Sequence, residues 1–154
     1  MHGTAPRTVM PHAWWVAIRM EAFGKLGPFC WACGYPHSAN PIRQILDIHE
    51  TYDINYLKGR MVFKEAVVLC YFCHSYIHMG RTNELVATGQ MTKCVYKMIV
   101  KHCTKVLREA KLNLPLPYAG RHAPWSSWRL VVGDQEFPPT YAIPEDWKAA
   151  YRSK

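Results

Sequence analysis

The sequence predicts an α+β fold: a small strand–turn–strand–helix core stapled by a four-cysteine zinc site, with flanking helices and a C-terminal hairpin. Three observations carry that expectation. Two Cys-x-x-Cys pairs, Cys30 with Cys33 and Cys70 with Cys73, supply the four thiolates of a closed tetrahedral zinc site. Between the pairs, residues 44–49 and 61–69 read as strands about a turn at Leu57-Lys58-Gly59-Arg60. Directly after the second pair, a helical stretch carries His74 and His78, four residues apart and so on one face.

Taken in order, residues 1–11 read as a flexible lead. Residues 12–26 are rich in Trp, Ala, Met and Phe without proline and predict a helix stopped by Gly27-Pro28. The first cysteine pair follows in a turn with Gly34, and residues 36–41 read as loop. After the two strands, Tyr71 to about Met79 predicts a short helix ended by Gly80. Residues 91–112 give the clearest helix, which Pro115 and Pro117 bring to an end. Residues 128–137, with Gly133-Asp134 at their centre, predict a hairpin. Pro144-Glu145-Asp146 opens a last helix that runs to about Tyr151. The expected organisation is a lead at 1–11, a metal-binding domain with a basic helix at 12–112, and an extension at 113–154 packed on that same domain.

A chain of 154 residues suits one modest core reinforced by metal. Disulfides are the competing use of the cysteines, but a bridge across a two-residue spacer is strained and redox-active. Nothing in the chain reads as a secretion signal: residues 1–11 lack an apolar core, and Trp14-Trp15-Val16-Ala17-Ile18 is short and broken by Arg19. Reduced thiols holding zinc, a cytoplasmic location and no membrane association are therefore expected. Cys94 and Cys103 lack such neighbours and are expected on the buried side of the 91–112 helix as small hydrophobes.

Three histidines, His49, His74 and His78, remain as ligands for a second ion. Three protein ligands with one open position is how a catalytic metal is held. If Cys30 and Cys33 meet Cys70 and Cys73, the intervening strands fold back and bring His49 over the helix. A competing reading leaves His74 beside the zinc, His78 in solvent and His49 in the core. His2, His12, His37, His102 and His122 carry no spacing argument.

The segment from Cys30 to about Arg81 resembles the HNH family of ββα-metal nucleases in its zinc-knuckle form. Leu46-Asp47-Ile48-His49 and Leu69-Cys70-Tyr71-Phe72-Cys73-His74-Ser75-Tyr76-Ile77-His78 carry the likeness, as does the interval from His49 to His74 (74 − 49 = 25). It covers about a third of the chain. The resemblance implies a ββα-metal core, His49, His74 and His78 as ligands of a catalytic divalent ion (Mg2+, Mn2+, Ni2+ or Zn2+), and hydrolysis of DNA phosphodiester bonds. Small free-standing members occur in phages and mobile elements. Two positions depart from the family pattern: the second histidine, its general base, is Glu50, and the central asparagine falls on Glu65. Glu50 is then the candidate base, with Asp47 as the acidic residue that orients the site. A shifted register, with Asp47 as ligand and His49 as base, stays open, because both residues share a strand face.

The charge balance, 19 Lys and Arg against 11 Asp and Glu, a formal +8, favours a polyanion as partner. Arg43, Lys58, Arg60, Lys64 and Arg81 flank the motif and are candidates to hold phosphates, or else ordinary solvated cations. On the 91–112 helix, Lys93, Lys97, Lys101, Lys105, Arg108 and Lys111 fall within about 120° of one another, opposite Met91, Val95, Met98, Ile99, Cys103, Val106 and Ala110. Like charges at i, i+4 cost about 0.2–0.5 kcal/mol per pair, and a phosphate backbone would relieve that repulsion. The expected partner is DNA, with RNA open. A protein partner could use the Trp- and Tyr-rich residues after 117. The competing functions are a zinc-stapled module that binds nucleic acid or protein without catalysis, and an inhibitor or adaptor that keeps the fold for stability.

Overall fold

The computed structural model describes residues 4–36, 46–112 and 120–152. Among these, the chain is mixed α+β: six α-helices and a four-stranded sheet of order β1-β2-β3-β4. The helices are α1 (Pro6–Val9), α2 (His12–Leu26), α3 (Tyr71–Ile77), α4 (Met79–Ala87), α5 (Lys93–Glu109) and α6 (Pro144–Arg152). The strands are β1 (Leu46–Asn55), β2 (Arg60–Cys70), β3 (Arg129–Val132) and β4 (Gln135–Phe137). No helix among the described residues is long and apolar enough to cross a membrane.

The described chain forms two compact units that do not follow the linear division expected from the sequence. One is built from Met1–Met20, Glu50–Ala66 and Pro117–Lys154, the other from Glu21–His49 and Val67–Leu116. The described residues after 119 thus cluster with the N-terminal stretch and with the tip of the β1–β2 hairpin.

In the first unit, Met61, Trp128, Leu130 and Val132 are buried, with Trp14, Tyr52, Ile54, Tyr56 and Phe63 packed around them. Trp14 meets Phe63 edge-on at 5.4 Å, the geometry that aromatic quadrupoles favour. β2 pairs with β3 in parallel, Met61 opposite Leu130, and β3 pairs with β4 as the expected hairpin, Val132 opposite Gln135. The turn at 56–59 receives residues from the 120s: the Ala123 amide donates to the Tyr56 carbonyl and the Arg129 amide to the Gly59 carbonyl. Gly59 has φ of +64°, and a Cβ there would stand 2.9 Å from the Ala123 Cβ and 3.2 Å from the Trp128 Cα. Only glycine meets both conditions.

Within the lead expected to be flexible, residues 6–9 form helix α1. Proline at the first position starts α1, and the Thr4 hydroxyl bonds to the Pro138 carbonyl and to Thr140. Those two contacts come from the far end of the sequence, where no local pattern could announce them.

In the second unit, Leu69, Phe72 and Ile99 are fully buried with Cys30, Cys70, Cys73 and Cys103. Helix α5 begins with the Thr92 hydroxyl accepting from the Val95 amide, the standard side-chain cap, and turns Ile99 and Cys103 inward. Cys94, expected on that buried face, is exposed. It lies nine positions before Cys103, and at 100° per residue that is half a turn round the helix. Gly80 does not end a helix. Helix α3 stops at His78 and the chain re-enters helix at Met79, where the Thr82 hydroxyl donates to the Ser75 carbonyl at 2.7 Å. That buried side-chain bond spans the break between the two helices.

Candidate metal centre

The first cysteine pair sits in a tight turn. Gly34, at φ of +67°, donates its amide to the Cys30 carbonyl, and the Cys30 amide donates to the Tyr35 carbonyl. The Trp31 amide donates to the Val68 carbonyl, which ties the turn to β2 one residue before Leu69. The second pair straddles the junction where β2 ends at Cys70 and α3 begins. The four sulfur atoms lie within 4.8 Å of one another, and Cys33 Sγ is 3.9 Å from Cys70 Sγ. Two thiolates on one tetrahedral zinc are about 3.8 Å apart, given metal–sulfur bonds of about 2.3 Å. The cluster can therefore hold a structural metal ion. Hydrogen bonds shared among the thiols draw Cys30 below the ordinary thiol range, Cys33 contributing most, and push Cys73 above it, with Cys103 the largest cause.

The three histidines also meet. His74 and His78 stand one turn apart at the end of α3, and His49 comes from β1. Ring centroids are 4.8 Å apart for His74 and His78, 5.0 Å for His49 and His78, and 5.4 Å for His49 and His74. One ring nitrogen from each lies within 4.8 Å of the others. The Asp47 carboxylate accepts from His74 Nδ1 at 3.1 Å. That bond fixes the ring and leaves Nε2 for a ligand, the usual carboxylate–histidine–metal arrangement. The four cysteines, the three histidines and Asp47 all belong to the second unit.

Burial in β1 follows the strand alternation. Ile48 and Glu50 are buried, and Asp47 and His49 are half-buried on the other face. Glu50 is 6% exposed, its Oε1 has no hydrogen-bond partner among the described residues, and the Arg7 guanidinium stands 3.8 Å away. Burial, and then the Glu50 charge, push the Tyr52 hydroxyl above its ordinary pKa.

The flanking cations are not equivalent. Arg60 pairs with Glu136 at 2.6 Å and Lys64 with Asp53 at 3.1 Å. Lys58 and Arg81 are exposed, and Arg43 lies outside the described residues. On α5, Lys93, Lys97, Lys101, Lys105 and Arg108 are all exposed, as the helical wheel predicts, with Lys105 3.6 Å from Glu109.

Sequence reasoning missed two residues here. His102 Nε2 lies 3.7 Å from Cys73 Sγ, and Cys103 stands beside the same sulfur, so that Cys73, His102 and Cys103 form a third group of possible ligands. The one available signal was the adjacency of a histidine and a cysteine on the inward face of α5. Compared with known proteins, the chain matches no family model, no curated protein and no solved structure.

Proposed function

We propose that the chain is a metal-dependent endonuclease of the HNH type that hydrolyses phosphodiester bonds in DNA. The carrying observation is the convergence of His49, His74 and His78 with Asp47 bonded to His74. Under this reading the three imidazoles hold a divalent cation, and Asp47 sets the tautomer and orientation of His74. When bound, such an ion supplies charge neutralisation at a non-bridging phosphate oxygen and at the leaving oxygen. The four cysteines hold the structural ion that fixes α3, and with it His74 and His78, against the end of β2. Exposed cations, Arg81 and the α5 row among them, draw in the phosphate backbone. His49 is preferred over Asp47 as ligand because the Asp47 carboxylate is already committed to His74.

Plasmid nicking with added Mg2+, Mn2+, Ni2+ or Zn2+ tests the reading. His74→Ala and His78→Ala should each abolish cleavage while duplex binding changes by no more than a few fold. Glu50→Gln separates two roles. A loss of about 10²–10⁴ in rate with metal retained identifies Glu50 as the base, whereas a loss below about tenfold makes it an internal acid of the first unit. A wild type inert with every metal would defeat the nuclease reading. The burial of Glu50 beside Arg7 favours a second reading, in which the same scaffold binds nucleic acid or a protein without cleaving it.

A further inference from the structure

On the side of α5 the four-cysteine cluster continues into two further donors, His102 and Cys103. Cys73 is 4% exposed and Cys103 3% exposed. His102 Nε2 stands 3.7 Å from Cys73 Sγ, and one ligand atom from each of Cys73, His102 and Cys103 lies within 4.8 Å of the other two. We propose that these three residues form a further metal site, in which the Cys73 thiolate bridges the structural ion to a second ion of the zinc class. His102 Nε2 and Cys103 Sγ complete the protein ligands, and water takes a fourth position.

One distance and two chemical arguments converge on this assignment. A sulfur and an imidazole nitrogen bound to one tetrahedral zinc are separated by about 3.6 Å, from bond lengths of about 2.3 and 2.0–2.1 Å. The distance between Cys73 and His102 agrees with that edge. Thiolate and imidazole together select soft or borderline ions over Mg2+ or Ca2+. Charge supplies the third argument. A divalent ion on four thiolates is a formal dianion, here set in a core of Leu69, Phe72 and Ile99, where uncompensated charge is costly. A second divalent ion that brings one further thiolate leaves a monoanion. The Cys103 thiol now donates to the Phe72 carbonyl at 3.5 Å; on metal binding that proton is released to solvent and the lone pair passes to the ion. A hydrogen bond from His102 to Cys73 would also relieve the charge, but it would have no use for Cys103.

The site is separate from the histidine triad, and it rests on the cysteine cluster holding metal. Zinc is counted by elemental analysis and native mass spectrometry in full-length protein carrying His49→Ala, His74→Ala and His78→Ala, so that the triad contributes no ion. Two zinc ions per chain are expected, falling to one with His102→Gln or Cys103→Ala. Because Cys103→Ala opens the core, His102→Gln, at a half-buried position, is the deciding variant. Cobalt titration of metal-free protein should show two steps in the thiolate charge-transfer band, the second lost in His102→Gln. One zinc per chain, unchanged by either substitution, would overturn the bridged site and leave the four-cysteine reading standing. Two zinc ions retained in His102→Gln would overturn the ligand set. No zinc at all would remove both sites.

Discussion

Asp47 and Tyr52 show how single side chains set the local chemistry. Asp47 holds His74 Nδ1 at 3.1 Å, and carboxylates in that position raise ligand basicity and fix the ring. Asp47→Ala should weaken binding of a divalent ion at the histidine triad by about 10–100-fold, measured by calorimetry on protein whose cysteine site is already loaded. Unchanged affinity would show that His74 is oriented by its helix alone. Tyr52 is raised by burial first and by the Glu50 charge second. Above about pH 10 the unfolded chain releases this proton while the folded chain keeps it. The native state then binds more protons than the unfolded one, and stability falls as pH rises. Tyr52→Phe should move the alkaline unfolding midpoint upward and leave stability near neutral pH little altered. Denaturant titrations on either side of pH 10 check the sign, and an unshifted alkaline midpoint would mean Tyr52 ionises as freely folded as unfolded.

Helix α5 carries two roles on two faces. Ile99 and Cys103 enter the core of the second unit, while Lys93, Lys97, Lys101, Lys105 and Arg108 form an exposed row. Glu109 offsets part of the Lys105 charge, and the other four have no carboxylate within ion-pair distance among the described residues. If four or five of the row each meet a phosphate, log K for duplex DNA should fall with log salt at a slope of about −3.6 to −4.5. Replacing Lys97, Lys101 and Lys105 together by glutamine should flatten that slope by about 3. A slope indifferent to the substitution would make the row a solvated face. The amphipathic period that places these lysines was visible in sequence because it depends only on helical geometry. The position of Cys94 follows from the same period, read one residue at a time.

At the scale of the molecule, the two cores differ in what they depend on. The core of the second unit is built around the cysteines themselves: Cys30, Cys70 and Cys73 are buried with Leu69, Phe72 and Ile99. Among the described residues, the core of the first unit, about Met61, Trp128 and Leu130, holds no candidate metal cluster. Structural zinc in small domains supplies on the order of 10–16 kcal/mol of apparent binding energy, as large as the whole stability of a typical domain at about 5–15 kcal/mol. Chelation, or Cys70→Ser, should therefore strip hydrogen-exchange protection from α3 and α5. Protection at Leu130 and Val131 should outlast it. Unaltered protection in α5 after complete metal removal would show that the apolar core suffices without an ion.

The sequence by itself determined what near neighbours can specify. Cys30, Cys33, Cys70 and Cys73, and the spacing of His74 and His78, announced two clusters able to hold a metal ion, because that chemistry needs those residue types at those intervals. The helix at 12–26, the turn at 57–60, the hairpin about Gly133-Asp134 and the start at Pro144 were legible for the same reason: each is written in a few consecutive residues. Tertiary structure alone decided the rest. The parallel pairing of Met61 with Leu130, the tie between Thr4 and Thr140 and the burial of Glu50 beside Arg7 join residues far apart in the chain. Such partners are chosen by which apolar surfaces are covered together, and that choice leaves no period or spacing in the sequence. His102 was passed over for this reason. Its one local mark is the neighbouring Cys103, and only the packing of α5 against α3 brings the pair to Cys73.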